Sequence, residues 1–228
     1  MIPRATTIVR TMLVACAAIA CAGWIHALER YPHGCDDSLR AFCSSYQNTV
    51  DCHRDLERDV LLHNERATRR GDALALRLAH GREKLLTDVT EAGKIETYHL
   101  LAYLPQIRAY LVSVDFYEGG ESLLVSVADG RETRIEGCPV LSPDGRWLAT
   151  SSGNFETDEP FAVEIWNVGT PQWTRVFRLD ATDWIPGALS FKDDHTLLLE
   201  ATGLRPRTDE KVTLSLVNGA WRAPQDWR

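Results

Sequence analysis

The chain has 228 residues, of which 44% are hydrophobic and 25% charged, a composition typical of a globular protein and not of a disordered one. Its formal net charge is −7, whereas nucleic-acid phosphates and anionic membrane surfaces attract proteins with a basic face. We therefore expect neither a nucleic-acid partner nor a polybasic membrane contact.

Residues 1–27 are typical of an export signal. Arg4 and Arg10 provide a positively charged start, and residues 11–20 form an apolar run of signal-peptide length. A membrane-spanning helix needs about 20 apolar residues, so this run is short for a permanent anchor. We expect export to the bacterial periplasm.

The form of the mature N-terminus has several alternatives. Signal peptidase would cleave after Ala22, because small residues stand at Ala20 and Ala22, or after Ala27. Residues 18–21 resemble a bacterial lipoprotein box, in which Cys21 would carry the lipid and would be the sole membrane attachment. Residues 13–16 resemble the same box but leave a shorter apolar run before it. An uncleaved signal anchor is the remaining alternative.

Four cysteines follow the signal: Cys35, Cys43, Cys52 and Cys138. An even number in an exported chain predicts disulfides, and four cysteines allow three pairings that spacing does not distinguish. Because Cys138 lies far along the chain, we expect at least one bridge between the N-terminal segment and the following domain. Zinc sites use closely spaced cysteine pairs, which this chain lacks, so we expect no metal site.

Residues 28–48 form a cysteine-rich segment that is the least regular part after the signal. Residues 36–38 resemble an N-cap ahead of a short helix at residues 39–42, with acidic residues at the favourable end. We expect a short helix or loop that disulfides hold against one face of the following domain.

Residues 49–228 are typical of an all-β domain built from repeated hairpins. Residues 73–79 alternate large apolar residues with small or polar ones, and a turn at His80-Gly81 leads into a second strand. The same pattern recurs three times, and its turn glycines lie 49, 39 and 50 residues apart: Gly81, Gly130, Gly169 and Gly219.

This spacing fits the blades of a β-propeller, which repeat every roughly 40–50 residues. We predict a small propeller-like array of about four four-stranded blades, at residues 49–88, 89–136, 137–181 and 182–228. A short apolar run at Val60 to Leu62 is assigned to the first blade. Further strands are predicted at residues 109–117, 187–191 and 196–200.

Residues 140–168 hold the clearest blade pattern. A Pro143-Asp144-Gly145 turn separates two strand-forming runs, because proline presets φ and glycine tolerates a positive φ. Residues 162–168 follow as the next strand. This stretch resembles the repeat of WD-type and Tol-type bacterial β-propellers, although Trp166-Asn167 stands where complete WD repeats have Trp-Asp.

The wider span 103–168 is similar to a group of exported bacterial propeller-like proteins of uncharacterised function. The resemblance implies a binding platform whose strand-connecting loops meet on one face around a central channel. It brings no catalytic residue with it.

Catalytic and cofactor motifs are absent from the sequence. It contains neither a nucleophile elbow nor a zinc-binding His-Glu-x-x-His, and no glycine-rich phosphate loop precedes a helix. The histidines after the signal are scattered, and we assign them no shared metal or proton-transfer role: His33, His53, His63, His80, His99 and His195. We expect no cofactor.

Two long connections are the candidate partner-binding sites, because loops on a rigid scaffold often hold function. The first, at residues 154–160, presents Phe155, Glu156, Asp158 and Glu159. A purely solubilising role and calcium binding are its alternatives, although the EF-hand spacing is absent. The second connection, at residues 203–210, presents Arg205 and Arg207 at the equivalent place in the next blade.

If both connections lie on the same face, they place an acidic and a basic patch side by side, as protein-binding rims do. The sequence therefore predicts a non-enzymatic periplasmic protein-binding module, either an interaction scaffold or an immunity-type protein. The alternatives are an envelope hydrolase or lyase that uses carboxylates such as Asp115, Glu118 or Asp158, and a structural lipoprotein. The oligomeric state is left open.

Overall fold

The computed structural model describes residues 42–228 except 92–93, 118, 153–159, 205–206, 226 and 228. The predictions for the signal, for lipidation at Cys21, for Cys35 and for most of the 28–48 segment concern residues outside this range. The described residues belong to one compact unit. Within the described part of the chain, no helix is both long and apolar enough to span a bilayer.

Helix α1 (Thr49–His63) corrects the prediction that strands begin at about residue 49. The Asn48 side chain accepts a hydrogen bond of 2.8 Å from the Val50 N–H, which caps the helix, and Asp51 in the first turn complements the helix dipole. Cys52 and Leu56 are buried four residues apart, so the apolar positions follow the helical period. The apolar run at residues 60–62 is the last turn of this helix and not a strand.

A disulfide joins Cys43 to Cys52 and ties the preceding residues to the buried face of α1. Cys138 is disulfide-bonded as well. The predicted bridge between the 28–48 segment and the β-domain stays a prediction, because Cys35 lies outside the described residues.

Sixteen strands in the described residues form four consecutive antiparallel sheets. The first sheet contains β1 (Ala67–Arg70), β2 (Ala73–Arg77) and β3 (Glu83–Thr87). The second sheet contains β4 (Val89–Glu91), β5 (Lys94–Leu104), β6 (Ala109–Phe116), β7 (Gly120–Ser126) and β8 (Glu132–Ile135).

The third sheet contains β9 (Val140–Leu141), β10 (Trp147–Ser152), β11 (Phe161–Asn167) and β12 (Thr174–Ala181). The fourth sheet contains β13 (Trp184–Asp193), β14 (Thr196–Gly203), β15 (Asp209–Val217) and β16 (Ala220–Arg222). In each sheet, strands that are consecutive in the chain are neighbours in space.

The mostly β architecture and its division into four successive sheets confirm the coarse prediction, and the arrangement is consistent with a propeller. The strand count differs from four in two sheets, since the first has three strands and the second has five. The predicted turn at residues 143–145 joins β9 to β10, with Gly145 at φ 69° donating to the Ser142 carbonyl at 2.9 Å. The long strand β5 has no counterpart among the predicted strands.

The core consists of three clusters that connect the sheets in series. One lies between the first and second sheets and includes Leu74 and Tyr110. Another joins the second and third sheets beneath Leu56 of α1. The last joins the third and fourth sheets around Trp147 and Trp221. Over the described residues, none of these clusters joins the fourth sheet to the first, so a closed ring with a central channel stays a prediction.

Candidate functional site

Strands of the second, third and fourth sheets reach a common end of the molecule, here called the connection end and marked by Phe116, Ser152 and Gly203. Gly137, which follows β8, lies so close to β10 that a Cβ there would be 2.1 Å from the Ser151 carbonyl oxygen. The Ser151 hydroxyl in turn donates to the Gly187 carbonyl of β13 at 3.3 Å. These contacts align the corresponding ends of the three sheets.

A cavity of about 410 Å³ opens at the connection end, between the start of α1 and the second sheet. Its lining includes His53 of α1, Ser113 and Asp115 of β6, and Tyr117 of the turn that follows β6. We call it the His53 cavity. Helical side chains lean toward the helix N-terminus, so His53 lies over the first turn of α1, which also lines the cavity.

His53 and Asp115 form a hydrogen-bonded pair in the wall of this cavity. The Nδ1 atom of His53 is 3.0 Å from one Asp115 carboxylate oxygen and 3.2 Å from the other. The Ser113 hydroxyl donates to the same carboxylate at 2.9 Å, because residues two apart on a strand share a face. Asp115 is 4% exposed, while the His53 side chain keeps 16% of its surface in contact with solvent.

A buried polar network continues behind this pair. His99 of β5 has Nδ1 3.4 Å from a Glu57 oxygen and Nε2 3.7 Å from an Asp115 oxygen. Arg69 of β1 donates to both Glu57 oxygens at 2.8 and 2.9 Å and to the Tyr98 carbonyl. Burial raises the pKa of Glu57, but hydrogen bonds from His99 and Arg69 outweigh it and hold that pKa below its usual range.

Sequence reasoning treated the histidines as scattered, whereas His53 and His99 both face Asp115. The absence of a shared metal or proton-transfer role stays a prediction. The proximity of the two histidines was missed with the helix, since α1 places His53 and Glu57 four residues apart on one face. The pairing of β5 with β6 brings His99 close to Asp115, because His99 lies opposite Ser113 in the register. A sequence signal existed in the Asn48 cap and the spacing of residues 52, 56 and 60.

Tyr117 is the most exposed large apolar side chain among the described residues, at 81%. It lies at the turn between β6 and β7 and contributes to the lining of the His53 cavity. An exposed tyrosine beside a concave polar site is typical of residues that anchor a partner.

The predicted partner-binding residues fall mostly outside the described part of the chain: Phe155, Glu156, Asp158, Glu159 and Arg205. Arg207 is described and exposed. The strand ends next to both connections are described: Ser152 pairs with Ala162, and Thr202 pairs with Asp209. Both connections therefore leave the second strand of their sheet at the connection end, on the same side as the His53 cavity.

The three carboxylates of the hydrolase hypothesis have different outcomes. Asp115 lies in the wall of the His53 cavity, whereas Glu118 and Asp158 are outside the described residues. In the described ranges, no group of three or more His, Cys, Asp or Glu side chains has an arrangement that could hold a metal ion.

No protein-family model and no curated protein matches this chain. Among solved structures, it is similar to TolB from Acinetobacter baumannii, a β-propeller protein, with 15% sequence identity and a TM-score of 0.25. The match covers 68% of this chain but only 40% of TolB. We draw no functional argument from a similarity at this level.

Proposed function

We propose that this chain is a non-enzymatic protein-binding module of the bacterial periplasm, an interaction scaffold or immunity-type protein that contacts its partner through the connection end. One observation carries the proposal. The His53 cavity and the strand ends that bear both long connections share this end of three neighbouring sheets. A sheet array that presents a cavity at the same end as two long connections is suited to recognise another protein.

The chemistry of the connection end supports this assignment. Tyr117 supplies a large exposed aromatic surface, of the kind that dominates binding energy when a partner covers it. The sequences of the two connections add charges of opposite sign, acidic at residues 156–159 and basic at Arg205 and Arg207. Such a pairing orients a partner and excludes others.

The compartment is part of the same proposal. The disulfide between Cys43 and Cys52 is typical of proteins in an oxidising compartment and agrees with an export signal at residues 1–27. A lipid at Cys21 would attach the protein to the membrane without requiring a transmembrane helix.

A pull-down from the native cell envelope tests the proposal. The exported, disulfide-bonded protein is compared with Tyr117→Ala, with Phe155→Ala/Asp158→Ala, and with Val217→Ala as a control. Val217 is a half-exposed apolar residue at the end of β15 that lies away from the connection end. We expect one stoichiometric partner that the control retains and that both connection-end variants lose.

A partner that all variants retain equally would reject the connection end as the binding site. No stoichiometric partner at all would reject the protein-binding function.

The His53–Asp115 pair favours one second candidate, an envelope hydrolase or lyase. An imidazole held by a buried carboxylate at a cavity is the arrangement with which many enzymes accept a proton. Purified protein would then cleave a cell-wall substrate, and His53→Gln would abolish the activity while leaving the fold intact. Activity that persists in this variant would exclude His53 as the base.

A further inference from the structure

Among the described residues, no permanently charged cation contacts the buried carboxylate of Asp115. Its hydrogen-bond donors are the Ser113 hydroxyl at 2.9 Å and the His53 ring at 3.0 Å, and neither carries a permanent charge. The cation of the same network, Arg69, is engaged by Glu57 at 2.8 Å and by Asp88 at 3.2 Å. The charge of Asp115 is therefore not offset by Arg69.

The whole network has more acidic than basic charge. Glu57, Asp88 and Asp115 contribute three carboxylates, against the single guanidinium of Arg69. A buried charge without a partner is strongly unfavourable, so an arrangement of this kind requires compensation. A cation that enters the adjoining cavity would supply this compensation.

The lining of the His53 cavity is suited to a cation. No lysine or arginine is among the described residues that line it. Glu121 adds a second carboxylate to the lining, where Arg134 from the neighbouring strand is its partner. When His53 donates from Nδ1 to Asp115, its Nε2 is a hydrogen-bond acceptor.

Tyr117 adds a further element, because it is exposed and belongs to the lining of the cavity. Ammonium and guanidinium groups are attracted to the face of a tyrosine. The volume of about 410 Å³ is sufficient for one long side chain and its hydration.

We infer that the His53 cavity receives a positively charged side chain of the protein partner, a lysine ammonium or an arginine guanidinium, with Asp115 as its counter-ion. The source of this side chain rests on the proposed function. The preference for a cation rests only on the charges and hydrogen-bonding groups of the cavity.

A titration with small cationic probes tests the cavity independently of any partner. The full disulfide-bonded protein, labelled with ¹⁵N, is titrated with Nα-acetyl-lysine amide and Nα-acetyl-arginine amide. Saturable shifts are expected at the amides of Gly119 and Gly120, which line the cavity. Nα-acetyl-norleucine amide, which lacks the charge, and Nα-acetyl-glutamate amide, which reverses it, should leave these amides unchanged. High salt should weaken binding of the cationic probes.

Three charge-neutralising variants locate the counter-ion. Asp115→Asn preserves the size of the buried side chain and should weaken probe binding about tenfold or more. Glu121→Gln should weaken it about twofold, because this carboxylate is partly solvated and already paired. Glu200→Gln removes the same charge from the exposed face of the fourth sheet and should leave binding unchanged. Thermal unfolding of each variant establishes that the fold is retained, and Glu121→Gln supplies the test if Asp115→Asn does not fold.

The outcomes separate this inference from the proposed function. Equal binding of the norleucine or glutamate probe, or undiminished binding of the cationic probes to folded Asp115→Asn, would overturn the inference. Probe binding that depends on Asp115, together with an empty pull-down, would reject the protein-binding function and leave the cation site standing. If the protein captures a partner through Tyr117 but binds no cationic probe, the cation site is rejected and the protein-binding function is retained.

Discussion

The contact of α1 with the second sheet and the contact of the third sheet with the fourth are built from opposite kinds of side chain. Around α1, the buried side chains include Glu57, which is hydrogen-bonded to His99 and Arg69, and Asp115, which is hydrogen-bonded to His53. Between the third and fourth sheets, Trp147 packs edge-on against Trp221 with ring centroids 5.8 Å apart. The first contact contains a buried polar network beside apolar side chains such as Leu56 and borders a cavity, whereas the second is centred on aromatic side chains.

This difference separates stability from function. An apolar interface is favourable because it removes apolar surface from water, and it requires no exact placement of charges. A buried polar network gains little net stability and becomes costly when one member is lost. Its presence beside the His53 cavity agrees with the proposed binding role, whereas the tryptophans stabilise the sheet array.

The largest expected effect comes from removing the centre of the aromatic contact. Trp147→Ala should lower the free energy of unfolding by about 4 kcal/mol, because it deletes a large buried side chain and leaves a void. Urea-induced unfolding followed by circular dichroism measures the change. A loss of less than about 1 kcal/mol would contradict the assignment of Trp147 to a well-packed interface.

Removing one member of the polar network should cost slightly less. Arg69→Met leaves Glu57 buried without its cation, and we expect a loss of about 3 kcal/mol in the free energy of unfolding. The double variant Arg69→Met/Glu57→Leu removes both charges and should be more stable than the single variant. If the double variant is the less stable of the two, the penalty is not that of an unpaired charge.

The polar contact should also respond to acid through Glu57. Its pKa is lower in the folded protein than its ordinary value of about 4.3, so its contribution to stability is present above that value. This contribution is lost as the pH falls through the folded-state pKa. Urea unfolding between about pH 6 and about pH 3 should show a shallower decline for Glu57→Gln than for the parent protein. Equal declines would show that Glu57 does not contribute, and exposed Glu200→Gln is the control.

The smallest effect concerns the start of α1. Asn48→Ala removes the side-chain acceptor for the Val50 N–H and should lower the free energy of unfolding by about 1 kcal/mol. Asn48→Asp, which keeps an acceptor at the same place, should cost much less. A thermal unfolding midpoint that falls equally in both variants would point to packing and not to capping.

Local patterns were sufficient to predict most of the β-structure. The alternation at residues 73–77 and the Pro143-Asp144-Gly145 turn depend on residues close in the chain, and strands β2, β9 and β10 follow them. The helix at Thr49–His63 was missed because its buried face includes Glu57 and Cys52. A charged residue on the buried face weakens the apolar pattern, and only the arrival of Arg69 from β1 explains why it is there.

The sequence by itself determined the repeated hairpins, their spacing and the turns between them, because strand alternation and turn geometry are properties of a few adjacent residues. The tertiary structure decided that His53 and His99 meet at Asp115 in the wall of the cavity, although up to 62 residues separate them along the chain. Their meeting depends on how α1 packs against β5 and β6, and packing between distant elements leaves no periodic pattern in the chain. For the same physical reason, the shared position of the cavity and the two long connections was decided by the contacts between sheets.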